Sequence, residues 1–423
     1  MFKIEKLFAL EILDSRGRPT VQATCRLAGG AAGVASVPSG ASTGTAEALE
    51  LRDGDLRRYR GLGCRRAVAN VNGTLHQALA GQKFIGQETL DHALLELDGT
   101  ANKSKLGANT ILAVSLAFAR AAAGQSGMPL YDYYAKLIGQ RPSTLPRPTI
   151  NLFSGGKHAG QQVPLQDVLI VPAATQSFAD ALAMMFEIYQ CAAELVARKY
   201  EMRLLRADEG GLAPPFADAA AMLEDAVTAI QASGLRPGRD ASLAVDVASS
   251  QFYRSGRYLC GTKNLDSAGM IEQLAQWVEQ YPIVSVEDGL AEEDWDHWPK
   301  LRERLAGRAL VVGDDLLCTN PGRIARAIQL QAADTLLLKV NQIGTLTEAL
   351  EACRLARAAK WRVTVSARSG ETEDDWLADL AVGWGGDQIK VGSITQSERL
   401  SKYNRLVAIE AATGFPLVRW PGE

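Results

Sequence analysis

The sequence predicts an α/β protein: an N-terminal α+β domain over residues 1–135, then a closed (β/α)8 barrel over residues 136–423. Three observations carry this. Strand-like stretches come first and helical ones follow, up to about Tyr133. A proline-dense segment, RPSTLPRPT from Arg141 to Thr149, then interrupts the chain. Beyond it, short apolar runs each end in a charged group and alternate with helical stretches.

In chain order, Phe2 to Leu13 alternates as a strand does, and Val21 to Val37 reads as a second β-like stretch. A helix is expected over Ala108 to Ala123, ended by Gly124, Gly127 and Pro129. After the boundary come SLAVD ending at Asp246, PIVSVED at Glu287, ALVVGDD at Asp314, DTLLLK at Lys339, WRVTVSARS at Arg368 and QIK at Lys390. Stretches such as AGMIEQLAQWVEQY and GTLTEALEACRLARAAK lie between them as helices. From Glu287 onward the charged ends recur at roughly 22 to 29 residues, the length of one strand-plus-helix unit. A parallel barrel delivers polar groups from the carboxyl ends of its strands to one mouth. An open doubly wound sheet would carry a glycine-rich phosphate turn, but Arg66 spoils the turn begun by Gly61 and Gly63. His158 likewise spoils a P-loop at Gly156-Lys157.

A net charge of −3 without a long basic run argues against nucleic acid or an acidic membrane as partner. The opening MFKIEKLFALEILD lacks the layout of an export signal, and the apolar run ILAVSLAFARAAAG is broken by Ser115 and Arg120. Six scattered cysteines (Cys25, Cys64, Cys191, Cys260, Cys318, Cys353) form no Cys-x-x-Cys pair, which suits a reducing, cytoplasmic setting.

Asp246, Glu287 and Asp314 end three successive runs, and three convergent carboxylates repel unless a cation sits among them. Hard oxygen donors favour Mg2+ over zinc. Neighbouring Asp288 and Asp315 face away on a strand, so one acid of each pair is assigned to the mouth. Lys339 and Lys390 follow on later strands; beside a divalent cation a lysine loses proton affinity and becomes a candidate base. Glu209, on the glycine-flanked turn RADEGGLAPP, suits an acid that must reach a substrate. PSGASTG, Pro38 to Gly44, is a small-residue loop able to close over an anion or metal.

The segments DSRGRPTV, PSGASTG, EALELRDGD, LDGTANKSKLGAN, GGKHAG, DEGGLAPP, SVEDGL, KVNQIGTLTEA, RSGETED and QIKVGS, in this order, resemble the enolases over nearly the whole chain. The resemblance implies a capping α+β domain, a barrel opening ββαα before six βα units, and a homodimer as the commonest assembly. It implies two Mg2+ sites, with Asp246, Glu287 and Asp314 holding the first and Ser42 supporting the second. It further implies that Lys339 takes the C2 proton of 2-phosphoglycerate and that Glu209 assists loss of the C3 hydroxyl. Lys390 would contact the carboxylate, Arg368 and Ser369 the phosphate. Gln166, Asp167 and His158 would lie at the same substrate.

The chain also departs from that pattern. Ala367 stands where the family has histidine, Asp167 where it has glutamate, Ala207 where it has glycine, and Ser154 where it has asparagine. Three readings are open on the sequence: an enolase yielding phosphoenolpyruvate, a paralogue of the carboxyphosphonoenolpyruvate synthase kind acting on a related phosphonate or phosphate, and a non-catalytic binding homologue. The last is disfavoured because the carboxylates, Lys339, Glu209, Lys390 and Ser42 are all present.

Overall fold

The computed structural model describes residues 1–41 and 43–419. The first domain is built on a four-stranded sheet of β1 (Phe2–Leu13), β2 (Pro19–Leu27), β3 (Ala32–Ser36) and β4 (Lys83–Phe84), ordered β3-β2-β1-β4. The single β-like stretch expected over Val21 to Val37 is two strands, because Gly29-Gly30 turns the chain and Gly30 takes φ +91. The helix Ala108–Gln125 packs against this sheet, and its alanine-rich surface is buried almost throughout. Gly33 permits the close approach: a Cβ there would lie 2.1 Å from the Ala117 carbonyl.

The second domain opens with β5 (Arg147–Ser154) and β6 (Asp167–Pro172), then the helices Phe178–Lys199 and Ala219–Ala232, then β7 (Ala241–Asp246). A small antiparallel sheet, β8 (Tyr253–Arg254), β9 (Arg257–Cys260) and β10 (Lys263–Leu265), precedes the next helix. Five more strands follow, each trailed by a helix: β11 (Ile283–Glu287), β12 (Leu310–Gly313), β13 (Thr335–Leu338), β14 (Arg362–Ser366) and β15 (Gln388–Gly392). They close into an eight-stranded barrel ordered β11-β12-β13-β14-β15-β5-β6-β7. β6 is antiparallel to both neighbours, while the other pairings are parallel. The ββαα opening and six βα units are thus present.

Local chemistry explains the elements. Strands β5, β6 and β7 are buried at every position, as continuous apolar runs enclosed by helices should be. Thr345 caps the helix Leu346–Ala358 by accepting from the Glu348 amide at 3.1 Å, and its hydroxyl donates to the Glu348 carboxylate at 2.7 Å. Asp266 caps Ser267–Gln280 in the same way, through the Gly269 amide at 2.8 Å.

The first domain covers the barrel mouth. Ser39 and Gly370 exchange backbone hydrogen bonds of 2.8 and 2.9 Å, and the Ser15 amide donates to the Glu371 carbonyl at 2.7 Å. No helix among the described residues is long and apolar enough to cross a membrane.

Candidate active site

Asp246 and Glu287 end adjacent strands and sit directly opposite one another, while Asp314 lies one residue beyond β12. All three are buried. Lys390, inside β15, reaches across the barrel: its Nζ donates to Asp246 Oδ2 at 2.8 Å and to the two Glu287 oxygens at 2.7 and 2.8 Å. Lys339, one residue past β13, donates to Asp314 Oδ2 at 2.5 Å, and Gln342 Nε2 donates to the other Asp314 oxygen at 2.8 Å. Asp288, with φ 45, does not face away as expected: it accepts the Asp314 and Asp315 amides at 2.9 and 2.8 Å. It sets the bend that aims Asp314. Neither Asp288 nor Asp315 leaves the cluster, since oxygens of Asp288, Asp314 and Asp315 lie within 4.8 Å of one another.

Charge among these groups is tightly shared. Burial and the neighbouring Asp246 push Glu287 well above the ordinary carboxylate range. Burial also opposes ionised Asp246, but the Lys390 ammonium outweighs it and holds that group low. Burial lowers Lys339, yet Asp314 more than compensates, so the lysine lies above its ordinary value. The fall expected for this lysine from the sequence is therefore not produced by the protein's own charges, which act in the opposite direction.

A second group lies on loops. Arg368 donates to both Glu47 oxygens at 3.1 Å and to Asn341 Oδ1 at 3.0 Å. Ser369 Oγ accepts from the Ala41 amide at 2.7 Å and from Arg16 at 3.2 Å. Beneath them the fully buried Arg399 donates to the carbonyls of Arg368, Ser369, Val391 and Asp208. This one guanidinium ties the Arg368 loop to the turn bearing Glu209. Ser42 lies outside the described residues.

The third group gathers at the amino end of β6, which points to the mouth because that strand runs backwards. Asp167 is fully buried; Oδ1 accepts from Asn151 Nδ2 at 2.7 Å and Ser154 Oγ at 2.8 Å, and Oδ2 lies 2.9 Å from His158 Nδ1. His158 Nε2 faces Glu209 Oε1 at 3.9 Å. Gln166 Nε2 donates to Asp246 Oδ2 at 3.2 Å, joining this group to the acids. Burial disfavours a charged His158, but Asp167 and Glu209 outweigh it and push the imidazole up to about 9. Burial raises Glu209, yet His158, Arg399 and Lys390 hold it below its ordinary value.

Residues 4–134 match the family model of the enolase N-terminal domain, and residues 142–417 match that of the enolase C-terminal TIM barrel domain. The chain belongs to the enolase family. Its barrel mouth brings together Lys339, Lys390, Asp246, Glu287 and Asp314 in one hydrogen-bonded group, and His158, Asp167, Gln166 and Glu209 in a second joined to it. Arg368 and Ser369 are close by, but both are engaged by the capping domain.

The residues fit a magnesium ion of the kind enolases use. Asp246, Glu287 and Asp314 are buried oxygen donors on consecutive barrel strands. Lys390 and Lys339, bonded to these acids, offset their charge until a cation takes that place. Sequence reasoning did not single out Glu47, Asn341, Gln342, Arg16 or Arg399. The first four lie inside EALELRDGD, KVNQIGTLTEA and DSRGRPTV, so the signal was in those motifs. Arg399 lies in an ordinary-looking helix and gave none.

Proposed function

We propose that this chain is an Mg2+-dependent lyase that interconverts 2-phosphoglycerate and phosphoenolpyruvate. The observation that carries the reading is the placement of two proton-handling groups across the mouth. Lys339 ends the third strand of the barrel circuit, and Asp167, with His158 and Glu209 beside it, lies on the seventh of eight. Groups four strands apart face each other across a closed barrel, so a proton can leave from one face of the substrate and hydroxide from the other. Lys339 would take the C2 proton; the electron pair left behind forms the C2–C3 double bond as the C3–O bond breaks. Glu209 and its neighbours would protonate the departing oxygen, which leaves as water. Arg368 and Ser369 would hold the phosphate, and Lys390 would balance the substrate carboxylate. When bound at Asp246, Glu287 and Asp314, Mg2+ would supply positive charge that lowers Lys339 and stabilises the doubly charged carboxylate formed on proton loss.

Ala367 supports a second reading. It follows β14, between the strands that carry Lys339 and Lys390, and offers only a methyl group. A related phosphonate or phosphate acid with more bulk at that point would fit the same chemistry. The deciding experiment is Mg2+-dependent conversion of 2-phosphoglycerate, followed by the ultraviolet absorbance of phosphoenolpyruvate, with Lys339→Ala alongside. Turnover that disappears in the variant supports the first reading. Silence on 2-phosphoglycerate with turnover of a phosphonate analogue supports the second, and silence on both overturns the enzymatic proposal.

Assembly as a homodimer is also proposed. Phe8 and Val34 lie in one row across Thr24 on the outer sheet face, with Leu10 beside them, and all three apolar residues are exposed. A monomer in sedimentation equilibrium at micromolar concentration would end that proposal.

A further inference from the structure

Asp167 is enclosed by its own hydrogen-bond partners. Both its oxygens are occupied, one by Asn151 and Ser154 and the other by His158, and the side chain has no exposed surface. The packing leaves no slack: a Cβ on Gly211 would lie 2.6 Å from Asn151 Oδ1 and 2.7 Å from Ser154 Oγ. The turn that carries Glu209 therefore rests directly on the Asn151–Ser154–Asp167 network. His158 is the one member of the group with a ring nitrogen left over, and that nitrogen faces Glu209.

We propose that Asp167 is a positioning residue that never touches substrate: it holds His158 by Nδ1–H, so that His158 Nε2–H and Glu209 form the pair that protonates the leaving oxygen. This rests on the elimination chemistry proposed above. In that step His158 Nε2 passes its proton to the Glu209 carboxylate, Glu209 passes it on to the oxygen as the C3–O bond breaks, and water leaves with the ring neutral. No oxidant or further reactant is needed. The charges facing His158 suit a proton-loaded ring: Asp167 on β6, Glu209 on its turn and Asp246 on β7 are acids that favour the imidazolium. Glu209 in turn faces Arg399, Lys390 and Lys339, which keep it ionised until the ring supplies its proton. The arrangement also gives the proton-delivery side a histidine of its own, in a chain that has alanine at position 367.

The test uses full-length protein labelled with 15N-histidine, the His158 ring being assigned with His158→Asn. In the wild type the His158 ring should stay doubly protonated well above neutral pH. Asp167→Asn, isosteric but uncharged, should lower its midpoint by at least ~1 pH unit. Ser154→Ala, a milder change that leaves the carboxylate in place, should leave the ring protonated. A His158 ring unaffected by Asp167→Asn overturns the proposal. On whichever substrate is turned over, Asp167→Asn and His158→Asn should each lower kcat by roughly 10²–10³-fold with KM little changed. The double variant should fall no further than the worse single. Losses that multiply would show Asp167 acting independently of His158 and overturn the assignment. The ring titration needs no substrate, so a failure of the elimination reading would show as absent turnover with the titration intact.

Discussion

The two sides of the barrel mouth are built differently. On the proton-abstraction side, Asp246 and Glu287 sit on strands paired in parallel register, Lys390 lies inside a strand, and Lys339 and Asp314 stand one residue beyond theirs. Their positions follow chiefly from barrel geometry, with Asp288 holding the Asp314 amide. His158, Glu209, Arg368 and Ser369 are instead carried by loops, and what fixes them is side-chain hydrogen bonding by Asp167, Arg399, Glu47 and Arg16. The departures from the family pattern at Ser154, Asp167 and Ala207 fall in or beside the group of His158 and Glu209, and Ala367 stands on the loop that carries Arg368 and Ser369. A loop held by side chains can be re-tuned by one or two substitutions. A strand-end group cannot be moved without disturbing the sheet.

The sharpest way to break this contrast is Glu287→Gln. It removes one charge from the strand-built side and leaves Lys390 bonded to one carboxylate fewer. Mg2+ affinity measured by calorimetry should fall by more than the ~10–100-fold typical of outer-shell changes, and turnover should fall with it. Unchanged metal binding would show that the acids near Asp288 and Asp315, not this set, hold the cation.

Ala367→His sharpens the contrast from the other side. If the loop-built half has been re-tuned for another substrate, adding the imidazole should raise 2-phosphoglycerate turnover, by up to ~100-fold, the scale of an ångström-level repositioning. A lower rate would mean that the alanine is part of a site already suited to 2-phosphoglycerate.

The smallest effect concerns stability. His158 is held at about 9, above its ordinary 6.5, so its contribution is fully present below about pH 6.5 and is lost as pH rises through about 9. The net gain is on the order of 1 kcal/mol, because the buried Asp167 carboxylate works the other way. Urea unfolding at pH 6 and pH 9 should show wild type losing more stability than His158→Gln over that interval. Equal losses would place the imidazolium outside the native balance.

This division also marks what could be read in advance. The strand ends at Asp246 and Glu287 fall on the expected residues, because apolar runs stop where a chain leaves a buried sheet. The Gly29-Gly30 hairpin was hidden inside one apolar-looking stretch, since period-two alternation continues across a tight turn. Asp167 could be named, but not that it is enclosed by its own hydrogen-bond partners. The direction of a side chain at the start of a reversed strand depends on partners such as Asn151 and Ser154, which no periodicity reveals. Arg399 was illegible for a related reason: its work is done on carbonyls, and carbonyls have no sequence signature.

The reversal of β6 has one more consequence. Asn151, Ser154, His158 and Asp167 all belong to one hairpin, so the apparatus that sets the imidazole is encoded in a single uninterrupted stretch from Asn151 to Asp167. The lysines and acids opposite come from strands scattered over the rest of the barrel. The setting of the imidazole is accordingly a cassette: it can be exchanged between related barrels by one segmental graft, while Glu209 and the lysines and acids stay with the host.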